Sequence, residues 1–183
     1  MPRVILFNKP YGVICQFSPS GGKQTLKDFV PVTGVYPAGR LDTDSEGLLV
    51  LTDDGTLQHT ISHPAKKWLK SYWVQVENCP GEAALDQIRG GVDLGNFVSA
   101  PARVTPIAEP PGLWARIPPI RARQSIPTCW IDIEISEGKN RQIRRMTAAA
   151  GFPTLRLIRH RIGPWTLAGL QPGDWHRVPE HAD

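Results

Sequence analysis

The sequence predicts a loop-rich α+β fold that contains antiparallel strands. Residues 70–77 and 128–136 alternate apolar and polar side chains, which is typical of strands with one covered face. The chain also contains 17 Gly, 18 Pro and six Trp, a composition that favours many turns over a helical bundle. A length of 183 residues suffices for one domain with a substantial core, and we expect that core to divide into two lobes.

The remaining elements follow from apolar runs and the residues that flank them. Short apolar runs at 4–7 and 47–52 predict buried strands. Asn140 and Gly151 are residue types that begin and end helices, so we expect a helix over 140–150. Shorter helices are predicted at 25–30, 56–62 and 81–89.

One stretch, from 106 to 127, is rich in proline, and we call it the proline-rich segment. It holds six prolines and three arginines, which predicts an extended and partly mobile excursion. Two roles are open for Trp114 within it: stacking on bases, or covering the core.

Composition indicates a globular protein without a membrane span. The longest aliphatic run, 47–51, is far too short to cross a bilayer, and the N-terminus lacks the pattern of a secretory signal. We therefore expect a cytoplasmic protein. Cys15, Cys79 and Cys129 are odd in number and lack the spacing of metal sites, so we expect reduced thiols, with Cys129 as a small core residue.

Basic charge is concentrated in the second part of the chain. Residues 1–109 hold 10 Lys and Arg against 11 Asp and Glu, whereas residues 110–183 hold 11 against six. No acidic residue occurs from 138 to 173. This distribution is typical of proteins that bind a polyanion such as nucleic acid, and a solvated basic surface is the alternative.

Residues 39–55, GRLDTDSEGLLVLTDDG, have the spacing of a calcium-binding loop. The matching residues are Asp42, Asp44, Glu46, Gly47 and Asp53. Such a loop lies between two helices and ends in a bidentate Glu. Here a stretch with Gly and Pro precedes the motif, a predicted strand follows it, and the last position is an Asp, so we do not favour calcium. A solvated acidic turn explains most of these carboxylates, but explains Asp42 less well, because Asp42 lies near Arg40 in an apolar, glycine-flanked setting.

The same motif resembles the catalytic segment of the bacterial ribosomal small-subunit-type pseudouridine synthases, whose pattern is GRLDxxSxGLLLLTNDG. Three further segments agree with that family in order: NKPYG at 8–12, KSY at 70–72 and EGKNRQIRRM at 137–146. The resemblance extends from about residue 3 to residue 178, nearly the whole chain. YWVQVE and GFPTLRLIR look most like members that modify large-subunit ribosomal RNA. We expect 1–183 to form a single catalytic domain without the small N-terminal RNA-binding module of many relatives.

The resemblance implies a mixed, largely antiparallel sheet with flanking helices and an RNA-binding cleft. It implies that a specific uridine in 23S ribosomal RNA is isomerised to pseudouridine, with neither a metal nor another cofactor. Uracil is detached from ribose C1′, turned and rejoined through C5, and attack at C1′ or at uracil C6 both remain open. We expect a monomer that acts away from membranes. A catalytically silent RNA-binding or ribosome-assembly module of the same fold is the alternative.

The resemblance also assigns roles to individual residues. Asp42 matches the nucleophile, Tyr72 the tyrosine that stacks on an extruded uracil, and Arg144 the cation that keeps the carboxylate ionised. Tyr72 as an ordinary strand residue, and Arg144 as a phosphate contact or solvent-facing residue, are the alternatives. Arg40 either binds the phosphate of the extruded nucleotide or braces the turn at Gly39. The other predicted RNA contacts are Lys70, Lys139, Arg141, Arg145, Arg156, Arg159, Arg161, Arg121 and Arg123.

Overall fold

Nine strands of the described residues form one sheet, against which the helices pack. The computed structural model describes residues 1–66 and 68–179. The strands are β1 (Val4–Lys9), β2 (Tyr36–Ala38), β3 (Glu46–Thr52), β4 (Lys70–Glu77), β5 (Arg103–Ile107), β6 (Thr128–Ile135), β7 (Thr154–Ile162), β8 (Trp165–Thr166) and β9 (Trp175–Arg177). The helices are α1 (Gly55–Ser62), α2 (Glu82–Arg89) and α3 (Gln142–Ala149), with 3₁₀ helices at Leu26–Asp28 and Pro64–Lys66. Within these residues, every helix is too short or too polar to cross a membrane.

The sheet consists of two antiparallel groups joined by one short parallel pairing. One group has the order β5-β6-β4-β7 and the other the order β3-β1-β9, while β2 pairs with β3 and β8 with β7. The groups meet where β3 and β7 run parallel, with Glu46 opposite Ile158 and Gly47 opposite Arg159. The predicted α+β fold, with a mixed and largely antiparallel sheet, is confirmed.

Burial along β4 follows the predicted alternation. Tyr72, Val74 and Val76 are buried, whereas Trp73 and Gln75 on the other face are half-buried. The buried face packs with apolar residues of β6, α2 and α3 in one core cluster. The period of two that separates the faces of a strand therefore located this layer of the core correctly.

The third helix begins later than predicted. Arg141 has φ 52° and ψ 33°, the left-handed region, so the regular helix starts only at Gln142 and Asn140 is not its N-cap. A left-handed residue interrupts the right-handed backbone that a helix requires. Gly151, with φ 91°, follows the helix as predicted for the residue that ends it. The late start leaves Arg141 outside the helix.

The structure contradicts the expectation of reduced thiols at two of the three cysteines. Cys79 and Cys129 form a disulfide, with their Cα atoms 5.1 Å apart. Antiparallel pairing of β4 with β6 sets Val76 opposite Cys129, and Cys79 follows shortly after the end of β4. Cys129 is half-buried rather than a core residue, whereas Cys15 is buried and free. Spacing along the chain does not reveal a contact that sheet register creates.

The proline-rich segment contacts the body of the protein at Trp114 and Arg116, and its predicted partial mobility stays a prediction. Trp114 packs with the core cluster that includes β3, and its Nε1 donates a 2.8 Å hydrogen bond to Glu46. The guanidinium of Arg116 lies 4.1 Å from the ring centroid of Tyr11, and its Nη1 donates to the Leu155 carbonyl at 3.4 Å. Of the two roles open for Trp114, covering the core is the one that the structure shows.

Gly47 allows β3 and β7 to approach closely, and its replacement provides a test of the fold. Its φ is 110°, and a Cβ there would overlap the Arg159 carbonyl oxygen and lie 2.8 Å from the Arg159 amide nitrogen. We expect Gly47→Ala to lower the free energy of unfolding by about 2–4 kcal/mol, because it adds backbone strain and an overlap. Urea unfolding measures this change. In the control Gly55→Ala, the added Cβ has nothing within 4 Å, and equal stability of the two variants would contradict the close approach.

Candidate active site

A cavity of about 460 Å³ lies beside the junction of β3 and β7. Its walls come mainly from residues 39–45 before β3, from β4 and β7, and from residues 138–143 that lead into α3. Seven predicted site residues line it: Asp42, Tyr72, Arg40, Lys70, Lys139, Arg141 and Arg159. The fold therefore brings distant motifs of the sequence to one cavity.

Asp42 and Asp44 are held differently, although one residue separates them. Both carboxylate oxygens of Asp44 accept hydrogen bonds from Arg141, at 3.0 and 2.8 Å. These bonds from Arg141 hold the pKa of Asp44 below its ordinary value. Asp42 accepts one longer bond from Arg141, at 3.3 Å, and 41% of its side chain is exposed. Of the two, Asp42 lines the cavity and is more available to a substrate.

The carboxylates at calcium-loop spacing are paired with separate arginines. Glu46 is 1% exposed and accepts bonds of 2.8 and 2.9 Å from Arg156. Asp53 accepts bonds of 2.7 Å from the backbone and side chain of Arg3. The expectation of a solvated turn is therefore wrong for Glu46, whose burial is made tolerable by an ion pair with Arg156.

Arg159 is a buried cation on the cavity wall, 3% exposed. Its Nε donates to the Leu48 carbonyl at 2.9 Å and its Nη1 to the Arg40 carbonyl at 3.4 Å, so it braces the chain on both sides of Asp42. Its Nη2 is buried without a hydrogen-bond partner among the described residues. Such unpaired groups are rare and call for an explanation, of which a catalytic role is one. The contact of Arg159 with an RNA phosphate stays a prediction. Because the side chain is buried, such a contact would lie inside the cavity.

β4 presents Tyr72 and Lys70 to the cavity. Tyr72 is 8% exposed and lies opposite Arg159 across the β4–β7 pairing. Lys70 is 9% exposed, and its Nζ donates a 3.3 Å bond to the Trp68 carbonyl. Burial, with a smaller contribution from Arg159, lowers the pKa of Lys70 to about 8. Tyr72 and Lys70 lie on the same face of β4, as expected, and the roles of both residues toward RNA stay predictions.

The shifted pKa of Lys70 predicts that stability depends on pH. Its pKa is about 8 in the folded protein against an ordinary 10.5, so the cost of burying its charge is full below pH 8 and is lost as the pH rises toward 10.5. We expect Lys70→Met to raise the free energy of unfolding at pH 7 by about 1–2 kcal/mol, because the variant has no charge to bury. The full conversion of about 1.36 kcal/mol for each unit by which the pKa is lowered would give more, but solvent at the cavity screens the charge.

Urea unfolding of the wild type and Lys70→Met at pH 7 and at pH 10 measures this dependence. The advantage of the variant should shrink at the higher pH. Lys23→Met is the control, because Lys23 is exposed, and its effect should not change with pH in this way. An advantage of Lys70→Met that is equal at both pH values would contradict the prediction.

Lys9 is a buried cation that sequence reasoning did not single out. Its Nζ donates to the carbonyls of Val13 at 2.8 Å, Pro10 at 2.9 Å and Thr43 at 3.5 Å. Because Thr43 directly follows Asp42, these bonds restrain the backbone that carries the candidate nucleophile. Burial lowers the pKa of Lys9 to about 8, and nearby acidic groups oppose the shift. The signal that could have identified Lys9 from the sequence is its position at the end of an apolar strand.

Among the described residues Arg144 donates its hydrogen bond to Asp44 rather than to Asp42, but its charge interacts with the Asp42 carboxylate, so the supporting role that the resemblance suggested stays a prediction. Its Nη2 donates to the Asp44 carbonyl at 2.8 Å and lies 3.8 Å from the Asp44 carboxylate. Burial lowers the pKa of Arg144 from its ordinary value. The late start of α3 leaves Arg141 before the helix, where Arg141 contacts the carboxylates of both Asp42 and Asp44.

Five further predicted RNA contacts lie outside the cavity lining. Arg156 is 6% exposed and paired with Glu46, which disfavours the phosphate contact predicted for it, and that contact stays a prediction. Arg145 is half-buried and donates to the Leu94 carbonyl at 2.7 Å. The remaining three, Arg121, Arg123 and Arg161, are exposed, and their contacts with RNA stay predictions.

Comparison with known proteins shows the class to which this fold and cavity belong. Residues 3–149 match the family model described as RNA pseudouridylate synthase. The chain belongs to this family of isomerases, as its motifs predicted.

Individual relatives refine the comparison. The chain is 54% identical over 176 residues to the ribosomal large subunit pseudouridine synthase E of Vibrio vulnificus, covering 96% of this chain and 75% of that protein. It is 51% identical to the protein of the same name from Xanthomonas campestris, covering 94% and 93%. A crystal structure of a pseudouridylate synthase has a TM-score of 0.79 at 25% identity, covering 98% of this chain and 71% of that one. The predicted likeness to the large-subunit members of the family is confirmed.

Proposed function

We propose that the protein isomerises a specific uridine of 23S ribosomal RNA to pseudouridine, with Asp42 as the nucleophile. The observation that carries the proposal is a loosely held carboxylate in a cavity that also contains the buried, partly unpaired guanidinium of Arg159. The names of the relatives from Vibrio vulnificus and Xanthomonas campestris support large-subunit RNA as the substrate. We further propose that the protein acts in the cytoplasm as a monomer, without a metal or another cofactor.

The reaction begins when the uridine leaves the RNA stack and enters the cavity, where Tyr72 stacks on uracil. In one route Asp42 attacks ribose C1′, so that a carbon–oxygen bond forms as the C1′–N1 bond breaks and uracil leaves as an anion. In the other route Asp42 adds to uracil C6, which opens the C5–C6 double bond, and the C1′–N1 bond then breaks while the base stays attached to the carboxylate. In both, C5 becomes bonded to C1′, the carboxylate departs, C5 loses its hydrogen as a proton and N1 gains one.

Fixed cations favour this rearrangement. Arg159 and Lys70 are on the cavity wall before substrate binds, so they oppose the negative charge of a detached uracil with little reorganisation. Lys9 and Arg141 restrain the segment that carries Asp42, which limits the positions that its carboxylate can take.

Release of tritium from RNA labelled at uridine C5 tests the proposed function, because the reaction removes the C5 hydrogen. We expect stoichiometric release from 23S transcripts and none from 16S transcripts. Binding of both RNAs without release from either would indicate the silent module. Release from 16S RNA alone would retain the chemistry but overturn the proposed substrate.

A further inference from the structure

A short loop, residues 93–98, is fixed beside the start of α3, and we call it the rim loop. Its ends approach each other because Asp93 pairs with Val98 and the Leu94 amide donates to the Phe97 carbonyl at 2.9 Å. Arg145 of α3 donates to the Leu94 carbonyl at 2.7 Å and to the Asn96 side chain. These bonds hold the rim loop against α3, and the residues that lead into α3 form part of the cavity wall.

Phe97 in the rim loop is half-buried and has two cations near its ring. The Nζ of Lys139 lies 5.7 Å and the guanidinium carbon of Arg145 lies 5.6 Å from the ring centroid. Lys139 also lines the cavity, so the ring is next to the cavity wall. Val98 beside it is 66% exposed, while the acid of the loop, Asp93, accepts a 2.9 Å bond from the Gly95 amide. The result is an aromatic surface with basic neighbours beside the cavity.

An aromatic ring with Lys and Arg nearby suits single-stranded RNA, because the ring can stack on a base while the cations meet phosphates. Extrusion of a uridine also removes a stacking partner from each neighbouring base. We propose that Phe97, Lys139 and Arg145 form a stacking platform for the nucleotide adjacent to the extruded uridine. This inference rests on the proposed function, since it takes RNA as the occupant.

A thermodynamic cycle tests for the stacking contact. The ligand is a 23S RNA fragment that contains the target uridine. It is compared with two fragments in which one or the other neighbouring base is replaced by an abasic ribose. One of the two abasic sites should weaken wild-type binding roughly 5- to 150-fold, the range for loss of one stacked base. Phe97→Ala should weaken binding of the intact fragment by a similar factor, and the same abasic site should then add less than about twofold, because contacting groups are not additive.

Further variants separate stacking from loss of structure. Phe97→Leu keeps an apolar side chain without an aromatic face and should behave like Phe97→Ala, whereas Phe97→Trp should bind like the wild type. The matched control is Tyr36→Ala, since Tyr36 is 60% exposed on β2 opposite Thr52, at the end of β3 away from Asp42. We expect Tyr36→Ala to retain wild-type affinity and the full effect of the abasic site.

Fully additive effects of Phe97→Ala and the abasic ribose at both neighbours would overturn the platform, provided that thermal unfolding shows a folded variant. Tritium release by the wild type on the same intact fragment distinguishes the two claims. Release combined with additive effects rejects the platform alone. Absence of release rejects the proposed function, whichever result the binding cycle has.

Discussion

Asp42→Asn is expected to abolish tritium release, with a loss of at least about a thousandfold in the single-turnover rate, while RNA binding is retained. The amide has nearly the shape of the carboxylate and can still accept the bond from Arg141, but it is not a competent nucleophile. The loss should therefore appear in the chemical step. Single-turnover release and equilibrium RNA binding, measured on the same fragment, separate the two effects.

Asp44→Asn is the matched control for this prediction. Asp44 carries the same functional group two residues away, but its carboxylate is already occupied by two bonds from Arg141. Because this ion pair is partly exposed, its loss should cost about 1 kcal/mol or less, and the release rate should fall less than about tenfold. Loss of release in Asp44→Asn, with release retained in Asp42→Asn, would reassign the nucleophile.

Arg156→Met is expected to lower the free energy of unfolding by about 3–5 kcal/mol, the cost of leaving one member of a buried ion pair alone. Glu46 is 1% exposed, so its carboxylate would lose two charged hydrogen bonds without gaining water. The variant also loses the 3.0 Å bond to the Trp114 carbonyl that helps to hold the proline-rich segment. Urea unfolding at neutral pH measures the change.

The double variant Glu46→Gln with Arg156→Met should recover much of that loss, because it removes the uncompensated charge. Arg161→Met is the control on the same strand: Arg161 is exposed, so its replacement should change the free energy of unfolding by less than about 0.5 kcal/mol. If Arg156→Met were as stable as Arg161→Met, the buried pair would not have the importance assigned to it.

Local patterns were sufficient to predict four of the described strands, β1, β3, β4 and β6, and seven of the residues that line the cavity. Alternation located β4 and β6 because strand periodicity is a property of adjacent residues. Asp42, Tyr72 and Lys70 were found through short motifs whose members lie within a few residues of each other, and the fold then brought these motifs to one cavity.

Features that depend on contacts between distant residues were not predictable in the same way. Arg156 pairs with Glu46 across 110 positions, and the disulfide of Cys79 with Cys129 depends on the register between two strands. The backbone of Arg141 was a further obstacle, because helical periodicity cannot anticipate a left-handed residue at the start of a helix. That conformation leaves Arg141 before the helix, where its side chain donates a hydrogen bond to Asp42.

The most direct test of the proposed chemistry is a distance in a crystal structure of the Asp42→Asn protein bound to its 23S RNA fragment. We predict a uridine outside the RNA stack and within the cavity, with Tyr72 against the uracil ring. A side-chain atom at position 42 should lie about 3–3.5 Å from ribose C1′ or uracil C6. A target uridine that remains stacked in the RNA, or that lies nearer to Asp44, would contradict the assignment of Asp42 as the nucleophile.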